Sequence, residues 1–339
     1  MIFCYWNCDA CRWRLYSTVK PYSAISIDEI YAAQDRIRDS VVRTPLVKLN
    51  HDGLPAEIYL KLENLQPVGS FKIRGAYNAM ARLGPESMKK GVWTVSAGNM
   101  AQGLAWCARE RGVSCTVLVP EQVPDTKLDN VTRLGAKYVK VPFAEFEETF
   151  ITRSHKDIDG LLIHPFSDPD VMAGNATIGL EILEDLPETE AVVIAYAGGG
   201  LSCGVGSAIR ALKGDGVRLY SAEVDTGAPF AASMKEGAPV IVEHTPTFVD
   251  GISGTMVIEE MWPLARDLMN GALVSSLEEI SSAVKIMVER NRVVSEGAGA
   301  ASVAAAISGK AGHGKVVCIV SGGNIDTARL QTALKGQIP

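Results

Sequence analysis

The fold is decided by the stretch Glu63-Asn64-Leu65-Gln66-Pro67-Val68-Gly69-Ser70-Phe71-Lys72-Ile73-Arg74-Gly75-Ala76. Apolar residues alternate before it, at Ile58, Leu60 and Leu62, which predicts a strand, and the residues from Lys72 onward have a helical pattern. Lys72 is therefore expected near a helix N-terminus, where the helix dipole disfavours an ammonium group and lowers the pKa of the lysine. A lysine taken alone is most often a solvated surface residue, but a neutral amine held at this turn can form a Schiff base.

A glycine-rich turn, Gly198-Gly199-Gly200-Leu201, follows the strand predicted over residues 191–196 and precedes a helical pattern. Successive glycines let backbone N–H groups converge on an anion, so this turn is predicted to cradle a phosphate. Two nucleotide motifs fail on spacing. The Gly-Lys-Ser/Thr of a P-loop is absent, and Gly-x-Gly-x-x-Gly is broken because Cys203 holds the last glycine position. Glu223, at a predicted strand end, does not restore a dinucleotide site without that spacing.

Two more turns have the same placement at the ends of predicted strands. Ser96-Ala97-Gly98-Asn99 ends the strand predicted over residues 92–96 and opens a helix, so its backbone donors are placed to hold an anion. Ser96 and Asn99 are also common helix caps, and capping is compatible with ligand binding. Ser321-Gly322-Gly323-Asn324 follows the strand predicted over residues 316–320.

Taken in chain order, the four turns at residues 63–76, 96–99, 198–201 and 321–324 span nearly the whole chain and resemble those of the fold-type II pyridoxal 5′-phosphate (PLP) enzymes, in particular threonine and serine dehydratases and serine racemases. Ala173-Gly174-Asn175-Ala176-Thr177 is similar to the Ala-Gly-Gln-Gly-Thr of that family, and Glu296-Gly297-Ala298-Gly299-Ala300 to its Glu-Pro-Ala/Ser-Gly-Ala. The resemblance implies an α/β fold like that of the tryptophan synthase β subunit, with two open, mostly parallel twisted sheets and helices on both faces. The alternation of short apolar strands with helical patterns favours the same class.

The resemblance also implies a role for each turn. Lys72 would carry PLP and act as the catalytic base, and Ser96, Asn99 and the Met100 backbone would bind the substrate carboxylate. Asn99 would hydrogen-bond the phenolic oxygen of PLP, and Ser321 its pyridine nitrogen. The residues implied to bind the cofactor are Phe71, Lys72, Asn99, Gly198, Gly199, Gly200, Leu201, Gly251, Glu296 and Ser321.

The implied reaction is the β-elimination of L-threonine or L-serine to an α-keto acid and ammonia. A neutral Ser321 hydroxyl on the pyridine nitrogen makes the ring a weaker electron sink than an aspartate would, which favours loss of the β-substituent. Serine racemases have a serine where this chain has Ala97, and a methyl group cannot transfer a proton, so racemisation is expected at most as a side activity. Met100 stands where dehydratases usually have His. That change leaves two interpretations open: a larger, phenylserine-like β-hydroxy amino acid as substrate, or simple packing.

Three rival classes are considered. PLP-dependent β-replacement enzymes also use a lysine and an asparagine loop, and product analysis with sulfide would separate them from a dehydratase. A catalytically silent PLP carrier is disfavoured by the presence of Lys72 together with Ser321. A nicotinamide oxidoreductase is disfavoured by the glycine spacing.

The resemblance implies a small domain, residues 91–164, set within a large PLP-binding domain of residues 23–90 plus 165–339. Residues 1–22 are expected to form an N-terminal extension, since their three cysteines lack a fourth zinc ligand and they contain no apolar core of a secretory signal. The chain ends soon after Asn324, so the regulatory domain of biosynthetic threonine dehydratases, and with it feedback control by isoleucine, is not expected. Family members are usually dimers or tetramers, which implies a homodimer or homotetramer.

Composition excludes several partners. With 33 basic and 39 acidic side chains, the net charge of −6 gives no case for nucleic acid. No run of about eighteen apolar residues is present, so a membrane span is not expected. Four of the seven cysteines fall in apolar elements, which favours reduced thiols and the cytoplasm: Cys107, Cys115, Cys203 and Cys318.

No metal is expected. Glu223 resembles the start of the family's divalent cation site, but the acidic ligand expected downstream is replaced around Gly227 to Pro229, and hard cations need several oxygen ligands. A monovalent ion held by backbone carbonyls stays open. The five histidines are scattered without a His-Glu-x-x-His motif.

Overall fold

Strands and helices alternate along the computed structural model, which describes residues 20–123 and 125–339. The strands are β1 (Leu46–Lys48), β2 (Glu57–Lys61), β3 (Val92–Val95), β4 (Cys115–Pro120), β5 (Lys137–Val141), β6 (Leu161–Leu162), β7 (Ala191–Ala195), β8 (Arg218–Val224), β9 (Gly271–Ser275) and β10 (Lys315–Ile319). The helices are α1 (Ile27–Ile37), α2 (Lys72–Arg82), α3 (Asn99–Glu110), α4 (Asp125–Arg133), α5 (Phe143–Thr152), α6 (Pro169–Asp185), α7 (Gly200–Lys213), α8 (Pro229–Glu236), α9 (Trp262–Leu268), α10 (Leu277–Ile286), α11 (Gly297–Ile307) and α12 (Thr327–Leu334).

The strands form two separate sheets. One has six strands in the order β1-β2-β10-β7-β8-β9, and the other has four in the order β5-β4-β3-β6. Only the β1–β2 pair is antiparallel in the described part of the chain, and the other neighbours run parallel. This is the predicted α/β class with two open, mostly parallel sheets. The four-stranded sheet uses residues 92–162, while the boundaries of the small domain at residues 91 and 164 stay a prediction.

The strand β7 shows why the predicted strands are continuous apolar runs. All five of its residues are buried. Val193 packs in a core with residues of α10 and α11, whereas Val192 and Ile194 pack on the opposite face with residues of α6 and α7. A parallel strand covered by helices on both faces needs apolar side chains at every position.

A buried network of charges joins the end of β2 to α2 and α6. Arg74 is 1% exposed and donates to both carboxylate oxygens of Glu63, at 2.8 Å each, and to Glu181 at 2.7 and 2.9 Å. Lys61 lies 2.6 Å from Glu181 and donates to the carbonyl of Thr44. Two positive and two negative groups are thereby paired, as buried charges require. The network fixes the first turn of α2, two residues from Lys72.

The N-terminal extension was predicted over residues 1–22, and residues 1–19, with Cys4, Cys8 and Cys11, lie outside the described residues. Tyr22 is attached to the fold: its N–H donates to the Glu260 carbonyl at 3.1 Å and its hydroxyl to the Ser167 carbonyl at 2.9 Å. Tyr22 therefore contacts the folded body, and the boundary of the extension stays a prediction.

Candidate active site

Lys72 is the first residue of α2, as the sequence predicted. The turn before it is fixed by a hydrogen bond of 3.0 Å from the Phe71 N–H to the carbonyl of Ser321. The Lys72 side chain is 9% exposed, and its Nζ donates to the Pro165 carbonyl at 2.7 Å. Burial lowers the pKa of Lys72 to about 7, against a smaller upward effect of the Glu296 carboxylate. The group is therefore poised to be a neutral amine near neutral pH.

Aromatic rings enclose the amine. Its Nζ lies 4.2 Å from the ring centroid of Phe166 and 5.1 Å from that of Phe71. Behind Phe166, the imidazole of His164 is buried and accepts from the Ser167 N–H at 3.0 Å through Nδ1. Burial lowers the pKa of His164 to about 3, so this ring stays neutral and serves to hold the segment of residues 164–167.

The glycine turn sits next to the same aromatic ring. A Cβ on Gly198 would lie 2.3 Å from Cγ of Phe166, and one on Gly200 would lie 2.7 Å from the Phe166 carbonyl oxygen. Gly199 has a φ of +87°, which favours glycine, and no side chain of the described residues caps the first turn of α7. The N–H groups at the start of α7 thus lack a side-chain partner, which is the arrangement that binds an anion.

A polar network is formed around Asn99 by Glu296 and Asn324. Asn99, the first residue of α3, donates from Nδ2 to Oε1 of Glu296 at 2.7 Å, and its Oδ1 accepts from Asn324 at 2.8 Å. A glycine allows the close approach of Glu296 at position 322, where a Cβ would lie 2.5 Å from its Oε1, whereas a Cβ on Gly251 would be in ordinary contact at 3.7 Å. The structure thereby brings Asn99, Gly251 and Glu296 together.

The remaining predicted residues lie at the same strand ends. The Ser96 hydroxyl accepts from the N–H of Gly98 at 3.2 Å, so it shapes the turn that precedes α3. Ser321 is 3% exposed and directly follows Val320 beyond β10. Met100 is 1% exposed and packs in an apolar core with other residues of α2 and α3. Its side chain does not add bulk to the cleft, which favours the packing interpretation; the role of its backbone stays a prediction.

These residues fit PLP. The buried amine of Lys72 and the uncapped α7 turn both lie next to Phe166, so an aldehyde partner and a phosphate partner stand close together. Asn99 and Ser321 supply the polar groups that the resemblance assigns to the phenolic oxygen and the ring nitrogen. The assignment of individual contacts remains a proposal.

Glu223, which resembles the start of the family's cation site, is held by a helix N-terminus. The two oxygens of Glu223 accept from the N–H groups of Phe230 and Ala231, at 2.9 and 2.7 Å, at the start of α8. Among the residues that the structure describes, no group of three or more His, Cys, Asp or Glu is placed to hold a metal ion. The N–H groups at the start of α8 are thus partners of this carboxylate, and the absence of a metal stays a prediction.

The fold and this cleft define a PLP-dependent enzyme of fold type II, and comparison with known proteins identifies the family. Residues 37–322 match the family model described as "Pyridoxal-phosphate dependent enzyme", and the chain belongs to that family. It is 39% identical over 307 residues to the L-threonine ammonia-lyase of Thermotoga maritima, covering 89% of this chain and 76% of the relative. It is 34% identical to the catabolic L-threonine dehydratase of Escherichia coli K12, covering 90% and 95%.

The solved structures lead to the same family. Maize serine racemase superposes with a TM-score of 0.85 at 32% identity, covering 92% of this chain and 98% of that protein. The names of these relatives include a threonine dehydratase and a serine racemase, and the sequence resemblance named both kinds of enzyme.

Sequence reasoning missed the segment formed by His164, Pro165 and Phe166. This segment supplies the acceptor for Nζ of Lys72 and the ring between the lysine and the glycine turn. It lies 93 residues from Lys72, and no local pattern announces such a contact. Only the fact that it follows the short strand β6, at the same edge as the other turns, could have indicated it.

Proposed function

We propose that this enzyme is an L-threonine and L-serine ammonia-lyase that converts the β-hydroxy amino acid to an α-keto acid and ammonia. The observation that carries the proposal is the buried amine of Lys72, which lies 4.2 Å from the Phe166 ring that the glycine turn also contacts and is close enough to Glu296 for that carboxylate to raise its pKa. The relatives named L-threonine ammonia-lyase and L-threonine dehydratase, which match across most of the chain, support the same reaction.

When bound at Lys72, PLP supplies an electron sink for the negative charge that develops at Cα of the substrate. The ε-amine of Lys72, with a pKa of about 7, removes the Cα proton as general base. Phe71 and Phe166 keep water away from this amine, and the Pro165 carbonyl holds it in place. Loss of the β-hydroxyl as water, followed by hydrolysis of the released enamine, gives 2-oxobutanoate from threonine or pyruvate from serine, each with one ammonia.

The substrate carboxylate is assigned to the turn before α3. Backbone N–H groups at the start of this helix face the cleft, and Ser96 and Asn99 flank them. The dipole of a helix N-terminus stabilises a carboxylate there. This placement orients Cα toward Lys72.

Racemisation is the second candidate, because the fold matches maize serine racemase closely. A racemase must return a proton to Cα from the face opposite the lysine, and Ala97 at the corresponding turn carries only a methyl group. The residue type therefore favours elimination over racemisation.

The test is a product time course with L-threonine, L-serine and threo-phenylserine, assaying keto acid, ammonia and D-amino acid. Equal amounts of keto acid and ammonia, absent with Lys72→Ala, support the ammonia-lyase, and the relative rates rank the substrates. An excess of D-serine over pyruvate would contradict it, and a β-substituted product formed with added sulfide would instead indicate β-replacement.

The cellular setting is proposed on coarser grounds. No helix in the described part of the chain is both long and apolar enough to cross a membrane. Cys107, Cys115, Cys203 and Cys318 are free and buried, and burial raises the pKa of the Cys115 thiol to about 12. Unreactive, reduced thiols agree with the proposed cytoplasmic location. A homodimer or homotetramer, with a small amino acid as its substrate, remains the proposal for assembly and partner.

A further inference from the structure

The side chain of Asn324 lies where three segments of the cleft meet. Its Nδ2 donates to the Val68 carbonyl at 2.9 Å and to Oδ1 of Asn99 at 2.8 Å. A side-chain amide carries two N–H bonds on this nitrogen, so both are used. Asn324 therefore joins the turn before Lys72 to the first residue of α3.

The contact decides which way the amide of Asn99 points. The nitrogen and oxygen ends of an amide have nearly the same shape, and only their hydrogen bonds distinguish them. Because Asn324 donates, the oxygen of Asn99 must face it, and the nitrogen of Asn99 then faces Glu296, to which it donates at 2.7 Å. The reverse orientation would set two NH₂ groups against each other and place the amide oxygen against a carboxylate. Glu296 accepts from Nδ2 of Asn99, and this nitrogen carries a second N–H.

Asn324 is itself held by the turn that carries Lys72. Gly69 has a φ of +73°, and a Cβ at that position would lie 2.7 Å from Oδ1 of Asn324. The N–H of Gly323 donates to the carbonyl of Gly69 at 2.8 Å. The direction of the Asn324 amide is thus fixed by backbone groups, and it transmits that direction to Asn99.

We propose that Asn324 is a positioning residue that orients the Asn99 amide, so that Asn99 presents an N–H to the phenolic oxygen of PLP. The inference rests on PLP being held at Lys72, and it holds for elimination and for racemisation alike. Its failure is therefore distinguishable from failure of the proposed reaction.

The test compares purified, PLP-loaded Asn324→Ala and Asn324→Asp with wild type. The readouts are the absorption spectrum, which reports whether the phenolic oxygen is anionic, and the dissociation constant of PLP. An N–H from Asn99 favours the anionic oxygen and its long-wavelength band. Both variants should shift intensity to the short-wavelength band and weaken PLP binding about tenfold, the loss expected for one hydrogen bond to a charged group. Asn324→Asp should shift more, because its carboxylate repels the oxygen of Asn99.

Two further variants test whether Asn324 orients the Asn99 amide or only stabilises the loop. Asn99→Ala should show the same spectrum as Asn324→Ala, and the double variant should add nothing further, since both remove one interaction. Asn64→Ala is the matched control. Asn64 donates to the Val294 carbonyl at 3.0 Å, so its loss should leave the spectrum unchanged.

A wild-type spectrum in Asn324→Ala with a lower unfolding temperature would overturn the proposal, since Asn324 would then only brace the loop. Additive spectral shifts in the double variant would overturn it as well. If neither substitution at position 324 folds, Asn324→Ser, which keeps a single donor, should give a spectrum between those of wild type and Asn99→Ala. A wild-type spectrum for that variant would also contradict the proposal.

Discussion

The low pKa of Lys72 gives a prediction about how the apoprotein takes up PLP. Only a neutral amine attacks an aldehyde, so the rate of uptake should follow the neutral fraction of this one side chain. Burial lowers the pKa from 10.5 to about 7. At pH 7 about half of the Lys72 amines are then neutral, compared with roughly one in 3,000 for a lysine that titrates at its ordinary value.

The charge of Glu296 opposes this effect. Its carboxylate raises the pKa of Lys72, so Glu296→Gln should lower that pKa further and move the midpoint of the uptake rate to a lower pH. Asp215→Asn is a suitable control, because it removes a carboxylate whose side chain is 99% exposed and leaves the cleft intact. The control should keep the wild-type midpoint.

The assay is stopped-flow absorbance of apoprotein mixed with PLP between about pH 5.5 and 10. Each rate is divided by that of a small lysine derivative at the same pH, which removes the titration of PLP itself. The ratio should be largest below pH 7. Above about pH 8 it should fall tenfold per pH unit, because Lys72 is already neutral there while the neutral fraction of the free lysine derivative still rises. A ratio that stays constant across the range would refute the reasoning, because Lys72 would then titrate like an exposed lysine.

Three other perturbations test the surroundings of the site. Arg74→Met should reduce the free energy of unfolding in urea by about 3–5 kcal/mol, because it leaves two buried carboxylates with one lysine. The control Arg43→Met removes an exposed ion pair and should reduce that free energy by less than about 1 kcal/mol. Equal losses in the two variants would contradict the argument from burial. In a fluorescence titration, Gly198→Ala should bind PLP at least about tenfold more weakly than wild type, because its Cβ would lie 2.3 Å from Phe166. The control Gly84→Ala, which has open space around the new Cβ, should bind PLP as wild type does. Treatment with a chelator should leave the activity and the unfolding temperature unchanged, because both oxygens of Glu223 already accept backbone N–H groups. Activity that is lost with the chelator and restored by Mg²⁺ would show that a cation binds.

Much of the fold was accessible from the sequence because its central strands are buried on both faces. The predicted strand over residues 191–196 is β7 (Ala191–Ala195), and the one over residues 316–320 is β10 (Lys315–Ile319). The strand β9 (Gly271–Ser275) was not predicted. It lies at the edge of its sheet, and four of its five residues are only partly buried, so it lacks the apolar run that marks the inner strands.

The candidate site was predictable only where its residues lie in one turn. The turns that end at Asn99 and Gly200 were recognised because a strand stops and a helix starts within a few residues, and the turn that ends at Lys72 because an apolar alternation gives way to a helical pattern. No local sequence pattern indicated the contacts between one turn and another. The ring of Phe166 over Lys72, and the direction of the Asn99 amide, depend on how distant segments pack.

Met100 and the charged residues around Arg74 also show that contacts between distant segments cannot be predicted from the linear sequence. A methionine beside the turn predicted to bind the substrate left both specificity and packing open, and its side chain packs in a core. Charged residues are mostly exposed in folded proteins, but Lys61, Glu63 and Arg74 are buried because each has a partner on another element. Burial of a charge depends on partners that a linear pattern does not reveal.

The central claim is that Lys72 holds PLP in this cleft. Reduction of the PLP-loaded protein with sodium borohydride, followed by proteolysis and mass spectrometry, tests it most directly. The account predicts a pyridoxyl-phosphate adduct on the peptide that contains Lys72, and no adduct on that peptide when Lys72 is replaced by Ala. An adduct confined to another lysine, or a protein that binds PLP without any reducible linkage, would contradict the account.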